Sequence, residues 1–138
     1  MTSYAWAISI HVVTAILGLG QVAGVLVVAS SMAEAADSAS WVALRRLVLG
    51  TRGSLIVILL SGVFIEYSFG GPFHRTWWFR LSFLGLVALG ALSGFMGRAL
   101  RQRASAGNER TRATVMRVAA SMCVITATIA VLMELKPG

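Results

Sequence analysis

The stretch of sequence that decides the fold reads YAWAISIHVVTAILGLGQVAGVLVVAS, from Tyr4 to Ser30. It contains no Asp, Glu, Lys or Arg, and at ~1.5 Å of rise per residue it is long enough to cross a hydrocarbon core of ~30 Å as one helix. It does not show the polar–apolar alternation that a strand of a membrane barrel requires. Because Met1 leads into it with no basic segment and no cleavage site, we predict a retained membrane-spanning helix.

Three further apolar stretches follow, so we predict one integral membrane domain over residues 1–138 with spans at about 4–30, 53–69, 77–97 and 113–135. The composition agrees, since 57% of the residues are hydrophobic and only 12% are charged, against about 25% charged in soluble domains. The connection 70–76 is short and the other two are of moderate length. In the first of these, the segment SWVALRRLVLG at residues 40–50 is amphipathic and could extend the second helix. The predicted fold class is therefore all-α, a four-transmembrane-helix bundle with up-down-up-down topology.

The distribution of basic residues predicts how the bundle is oriented. The connections 31–52 and 98–112, with the residues just beyond them, hold nine arginines, namely Arg45, Arg46, Arg52, Arg98, Arg101, Arg103, Arg110, Arg112 and Arg117. The opposite side holds Arg75, Arg80 and Lys136. By the positive-inside rule both connections are cytoplasmic, both termini lie outside, and the protein is in a plasma (inner) membrane. Since no basic domain remains outside the spans, nucleic acid is not an expected partner.

A small set of polar residues lies at membrane depth, where ionisable groups are rare and often functional. Counting along each span places His11, Glu66 and Arg80 about 8 to 10 Å from the midplane, all toward the outer side. Gln21 shares a helical face with His11, and Tyr67 lies nearby but closer to the surface. We predict a ligand-binding or proton-handling site formed by these five residues. Structural alternatives are a helix-to-helix hydrogen bond of His11, an ion pair of Glu66 with Arg80, and an Arg80 that reaches the headgroups.

The two histidines raise the question of a cofactor. His11 and His74 are on the same side of the membrane and are the candidate metal ligands, for haem b or for copper. Their depths differ by about 10 Å unless the loop that holds His74 folds inward. A quinone near His11 is the third candidate ligand. With Cys123 as the single cysteine, the chain has no Cys-x-x-Cys pair for disulfide chemistry.

The segment IHVVTAILGLGQVAG, from Ile10 to Gly24, resembles the first span of a group of small uncharacterised bacterial integral membrane proteins. The terminal LMELKPG is similar to the ends of some of them. More distantly, the layout resembles copper-resistance protein D and the HemJ-type protoporphyrinogen oxidase. The resemblance implies a haem or copper role for His11, the one matching functional position. The further basic and aromatic residues of the HemJ-type pattern are not evident in this chain.

Three functions fit these features. The first is a ligand-binding membrane protein, with haem, copper or quinone near His11. The second is a small oligomeric transporter or channel that uses Glu66 or His11. The third is a non-catalytic subunit or assembly factor of a larger membrane complex. No Ser-His-Asp arrangement, phosphate loop or zinc motif is present in the sequence, so we do not expect an enzyme.

Overall fold

The computed structural model describes residues 3–32, 38–68, 70, 75–102 and 108–135. These residues form four α-helices and no strand. The helices are α1 (Ser3–Ser31), α2 (Ser38–Ser68), α3 (Trp77–Arg101) and α4 (Asn108–Leu135). Each helix is long and apolar enough to cross a membrane. The predicted all-α fold of four membrane helices is therefore confirmed.

The four helices pack in a ring, in which each helix contacts the next one along the chain and α1 also contacts α4. Neighbouring helices are antiparallel. His11 of α1 bonds to Ser61 of α2, while Gln21, further along α1, bonds to Ser54, earlier on α2. We call the end where α1 and α3 finish and α2 and α4 begin the arginine end. The opposite end, where α1 begins and α4 finishes, is the terminal end.

The second helix begins well before its predicted span of 53–69. It starts at Ser38 and runs for 31 residues, which makes it ~46 Å long at ~1.5 Å per residue. The segment before the span packs into the bundle, because Trp41, Leu44 and Val48 are buried there. The predicted connection 31–52 is therefore helical from residue 38 onward, and its amphipathic segment 40–50 extends the second helix. Within the other connection, 98–112, residues 98–101 belong to α3 and 108–112 to α4.

A side chain of α4 caps the end of α1 at the arginine end. The Arg112 guanidinium donates a hydrogen bond from Nη1 to the carbonyl oxygen of Met32, 2.5 Å away. The last carbonyls of a helix have no partner within the helix and carry partial negative charge, so a cation is well placed there. Arg112 therefore joins the first and last helices of the ring.

The closely packed core lies in the half of the bundle nearer the arginine end. Its buried members come from the second halves of α1 and α3 and the first halves of α2 and α4. They are Val22, Val25, Ala29, Met32, Trp41, Leu44, Val48, Leu89, Met96, Val115, Val118, Ala119 and Met122. In the half nearer the terminal end, the described buried residues are few, chiefly Ala7, Trp78 and Ser82. The bundle is thus tight at one end and open at the other.

The second helix stops where the sequence predicts a turn. Gly70 has a φ of +75°, a left-handed conformation that residues with a Cβ adopt only at a cost. Its N–H donates a hydrogen bond to the Tyr67 carbonyl oxygen over 3.1 Å. Gly70 therefore ends the helix at Ser68 and starts the link toward α3.

Candidate ligand-binding cavity

A cavity of about 780 Å³ occupies the half of the bundle nearer the terminal end. All four helices line it, and most of its wall is aliphatic or aromatic. Several lining side chains are also exposed on the outside of the bundle, among them Val12, Ile16, Val63 and Phe83. The cavity therefore opens between helices onto the surface that faces lipid. Its volume lies in the range of ~300 to 1,000 Å³ that is usual for small-molecule sites.

The first polar group on the cavity wall is the imidazole of His11, which is half-buried. Its Nδ1 lies 2.8 Å from the Oγ of Ser61 on α2. The ring rests beside Gly62, where a Cβ would come to 3.4 Å from the imidazole Cε1. Ser61 therefore fixes the ring at Nδ1, and the small Gly62 leaves room for it between the two helices.

The hydrogen bonds of Ser61 determine which nitrogen of His11 carries the proton. The Ser61 hydroxyl lies 2.7 Å from the Val57 carbonyl oxygen and 3.1 Å from that of Ile58. A hydroxyl has a single proton to donate, and these carbonyls can only accept. The Ser61 oxygen is then an acceptor toward His11, which favours the tautomer of the neutral imidazole that is protonated at Nδ1. Its Nε2 keeps a lone pair that can accept a hydrogen bond or bind a metal.

The second ionisable group on the wall is Glu66, which is half-buried one helical turn after Gly62. Residues four apart lie on the same face of a helix, so Glu66 follows the Ser61–Gly62 face toward the terminal end. The cavity thus has a hydrogen-bond acceptor, Nε2 of His11, and the carboxyl group of Glu66 in a wall that is otherwise largely apolar.

A second polar link joins α1 and α2 but lies outside the lining of the cavity. The Ser54 hydroxyl donates to Oε1 of Gln21 over 3.2 Å. The Gln21 amide packs on Gly50, where a Cβ would come to 2.8 Å from the amide nitrogen. Gln21 therefore holds the two helices together near the middle of the bundle. The structure gives it a helix-packing contact and does not bring it to His11.

The other predicted site residues are separate from the cavity. Arg80 is exposed, and the adjacent Phe79, rather than Arg80, lines the cavity. Tyr67 is 84% exposed and points away from the bundle. His74 lies outside the described residues, so its predicted approach to His11 stays a prediction. Of the five predicted ligand or proton-handling residues, the cavity brings together His11 and Glu66.

The described residues contain no group of three or more His, Cys, Asp or Glu side chains that could hold a metal ion. A haem would find one axial imidazole, Nε2 of His11, in a cavity with apolar walls. Within the described part of the chain, His11 is the only histidine. The donor set therefore fits a single axial ligand to haem better than it fits copper, which needs several convergent ligands.

Comparison of the chain with protein-family models, with curated proteins and with solved structures gives no match. The resemblance of the first span to copper-resistance protein D and to the HemJ-type oxidase stays a prediction.

Ser61 and Arg52 make contacts between helices that the sequence analysis did not predict. Ser61 was not among the predicted site residues, because its bond to His11 depends on the register of α1 against α2. Arg52 was assigned to a connection, yet it lies near the middle of α2 and contacts α3. The amphipathic pattern of residues 40–50 predicted that the second helix extends through this segment, and the burial of Trp41, Leu44, Val48 and Thr51 on one face of α2 agrees with it.

Proposed function

We propose that the chain is a membrane protein that binds a lipid-dissolved quinol, the reduced form of a quinone, in the cavity between its four helices. One observation carries the proposal: an apolar cavity that opens toward the lipid has a hydrogen-bond acceptor, Nε2 of His11, on its wall, with the carboxyl group of Glu66 nearby on the same wall. A quinol has a ring that suits apolar walls and an apolar tail that can leave between helices. One of its hydroxyl groups can donate a hydrogen bond to Nε2 of His11.

The direction of hydrogen bonding favours the reduced ligand over the oxidised one. A quinone carbonyl only accepts, and it would find a lone pair on Nε2 of His11 instead of a proton. A buried polar group without a partner costs about 1 to 3 kcal/mol. The cavity therefore supports binding of the reduced form, in which a quinol hydroxyl donates a hydrogen bond to Nε2 of His11.

The shape of the cavity also bears on the alternative of a transporter or channel. Toward the arginine end the space is filled by core side chains such as Leu44, Met96 and Met122, each no more than 1% exposed. The described part of the bundle thus encloses a pocket closed at one end. This supports a binding protein, and it supports the role of a subunit that holds a quinol for a partner complex.

The first experiment measures binding of a decyl-substituted benzoquinol to the purified protein in detergent, from the rise in thermal unfolding midpoint with ligand concentration. The quinol is kept reduced under anaerobic conditions, and the oxidised form is titrated in parallel. We expect the reduced form to bind more tightly. His11→Ala should weaken its binding about tenfold, the effect of one hydrogen bond of ~1 to 1.5 kcal/mol.

A matched pair of glycine variants tests whether the cavity is the site. Gly62→Leu places a side chain beside His11 inside the cavity and should abolish binding. Gly20→Leu makes the same change on an exposed face of α1, where a Cβ meets nothing within 4 Å, and should bind like the wild type. Equal binding by Gly62→Leu and the wild type would exclude the cavity as the binding site. A haem absorption band that is present in the wild type and lost in His11→Ala would identify haem, and not a quinol, as the ligand of the cavity.

A further inference from the structure

A second site lies on the other half of the molecule, between α2 and α3 near the arginine end. It is a cleft of about 270 Å³ lined by Arg45, Val48, Leu49, Arg52, Gly97, Leu100 and Arg101. Three of these seven residues are arginines, and none of them is acidic. The cleft is separate from the cavity, with which it shares no lining residue.

Arg52 forms the inner end of the cleft and is held there by the backbone of α3. Its Nη2 donates hydrogen bonds to the carbonyl oxygens of Ser93, at 2.8 Å, and Gly94, at 3.3 Å. The guanidinium rests on Gly97, where a Cβ would lie only 2.8 Å from Cζ and would collide with Nη2. Gly97 is therefore needed for Arg52 to reach α3. The charge of Arg52 is thereby fixed in place between α2 and α3.

The hydrogen bonds to α3 leave part of the Arg52 guanidinium unused. Its Nε is buried and has no hydrogen-bond partner among the described residues. Carbonyl oxygens also supply only partial negative charge, so Arg52 keeps its full positive charge in a half-buried position. A half-buried charge without a counter-ion is costly, and an anion in the cleft would lower that cost.

The other two arginines stand on either side of the cleft. Arg45 comes from α2 and Arg101 from the last turn of α3, and both are exposed. Arginine is the side chain best suited to bind phosphate oxygens, because its planar donors can form paired, charge-assisted hydrogen bonds. Next to them, Leu49 is 53% exposed and Leu100 is half-buried. The cleft thus joins three cations to an apolar surface.

We infer that this cleft binds a phosphate group, with Arg45 and Arg101 at its mouth and Arg52 at its inner end. The same phosphate chemistry is offered by an anionic phospholipid headgroup and by a soluble phosphate. The adjoining leucines favour the phospholipid, since its acyl chains can lie along them. The inference does not depend on the quinol cavity and would hold for any ligand there.

The experiment compares two double variants that remove equal charge from the same two helices. Arg45→Gln with Arg101→Gln removes both positive charges at the mouth of the cleft. Arg46→Gln with Arg98→Gln is the control, because both residues are exposed and neither lines the cleft. All four side chains are at the surface, so both proteins should fold. Retention of phosphatidylglycerol is measured by native mass spectrometry, after equilibration with mixed phosphatidylglycerol and phosphatidylcholine micelles.

The wild type and the control should retain phosphatidylglycerol over phosphatidylcholine, and Arg45→Gln with Arg101→Gln should bind it at least about tenfold more weakly, as expected for two lost charge-assisted contacts. In a second arm the lipid is omitted and inorganic phosphate is titrated against thermal unfolding. Stabilisation by phosphate but no lipid retention would support the cleft with a soluble source. Equal loss in both double variants would show general charge attraction and overturn the inference. So would a wild type that binds neither probe.

Discussion

At the scale of single residues, the structure shows how much of the site could be foreseen. Depth counting from the hydropathy pattern put His11 and Glu66 at similar heights, and the structure places both on one cavity wall. The same counting put Arg80 at that height, but rotation about the α3 axis turns it outward. The depth of a residue in the membrane follows from its position along a single helix. A contact such as that of His11 with Ser61 also depends on how two helices are aligned.

The proton position on His11 gives a prediction that does not involve any ligand. Nitrogen NMR of protein labelled with isotopic histidine should show the Nδ1–H tautomer for His11 at about pH 8, above the ordinary histidine pKa of ~6.5. The chain has two histidines, so His74→Gln assigns the signals. Ser61→Ala removes the acceptor at Nδ1 and should raise the share of the Nε2–H tautomer.

Ser121→Ala is the control for this measurement. Ser121 also donates to the carbonyl four residues earlier, that of Arg117, over 3.0 Å, but it is exposed on α4. Its loss should leave the His11 signal unchanged. An Nε2–H tautomer in the wild type would mean that His11 is a donor toward the cavity. The proposed preference for the reduced ligand would then be wrong.

At the scale of helices, the second helix shows why the spans were easier to predict than the helix ends. Hydropathy marks 53–69 because no arginine lies within it, while Arg45, Arg46 and Arg52 lower the average of the preceding segment. The arginines lie on the exposed or cleft-lining sides of the same helix. The hydropathy average includes every face of the helix and so hides the buried face, which the helical spacing of its apolar residues reveals.

The buried face of this early segment of α2 should contribute to stability. Leu44 is fully buried, so Leu44→Ala should lower the free energy of unfolding by about 2 kcal/mol through the cavity that it leaves. Leu49→Ala removes the same atoms from a side chain that is 53% exposed and should cost less than ~0.5 kcal/mol. Titration with sodium dodecyl sulfate, followed by circular dichroism, measures both. Equal losses would show that the segment is not packed as the structure has it.

At the scale of the whole molecule, the unequal packing of the two halves could not be predicted from the sequence. Apolar residues fill both halves, so composition does not distinguish a core from a cavity wall. The difference lies in which side chains meet across the ring. Leu44, Val48, Met96 and Met122 fill the half nearer the arginine end, whereas the small Gly18 and Gly62 line the cavity in the other half. A stable half can hold an open half in shape, which is what a binding cavity in a small bundle requires.

The orientation of the bundle is the remaining prediction at this scale. The arginine-rich ends of the helices should face the cytoplasm, because basic segments are retained there. Ser3→Cys and Asn108→Cys, each combined with Cys123→Ser, place one thiol at an exposed residue of the terminal end or of the arginine end. In intact bacterial spheroplasts a membrane-impermeant maleimide should label Ser3→Cys. Asn108→Cys should be labelled only after the membrane is opened. The reverse pattern would put the cavity nearer the cytoplasm and the arginine cleft nearer the outer surface, where the supply of anionic headgroups differs.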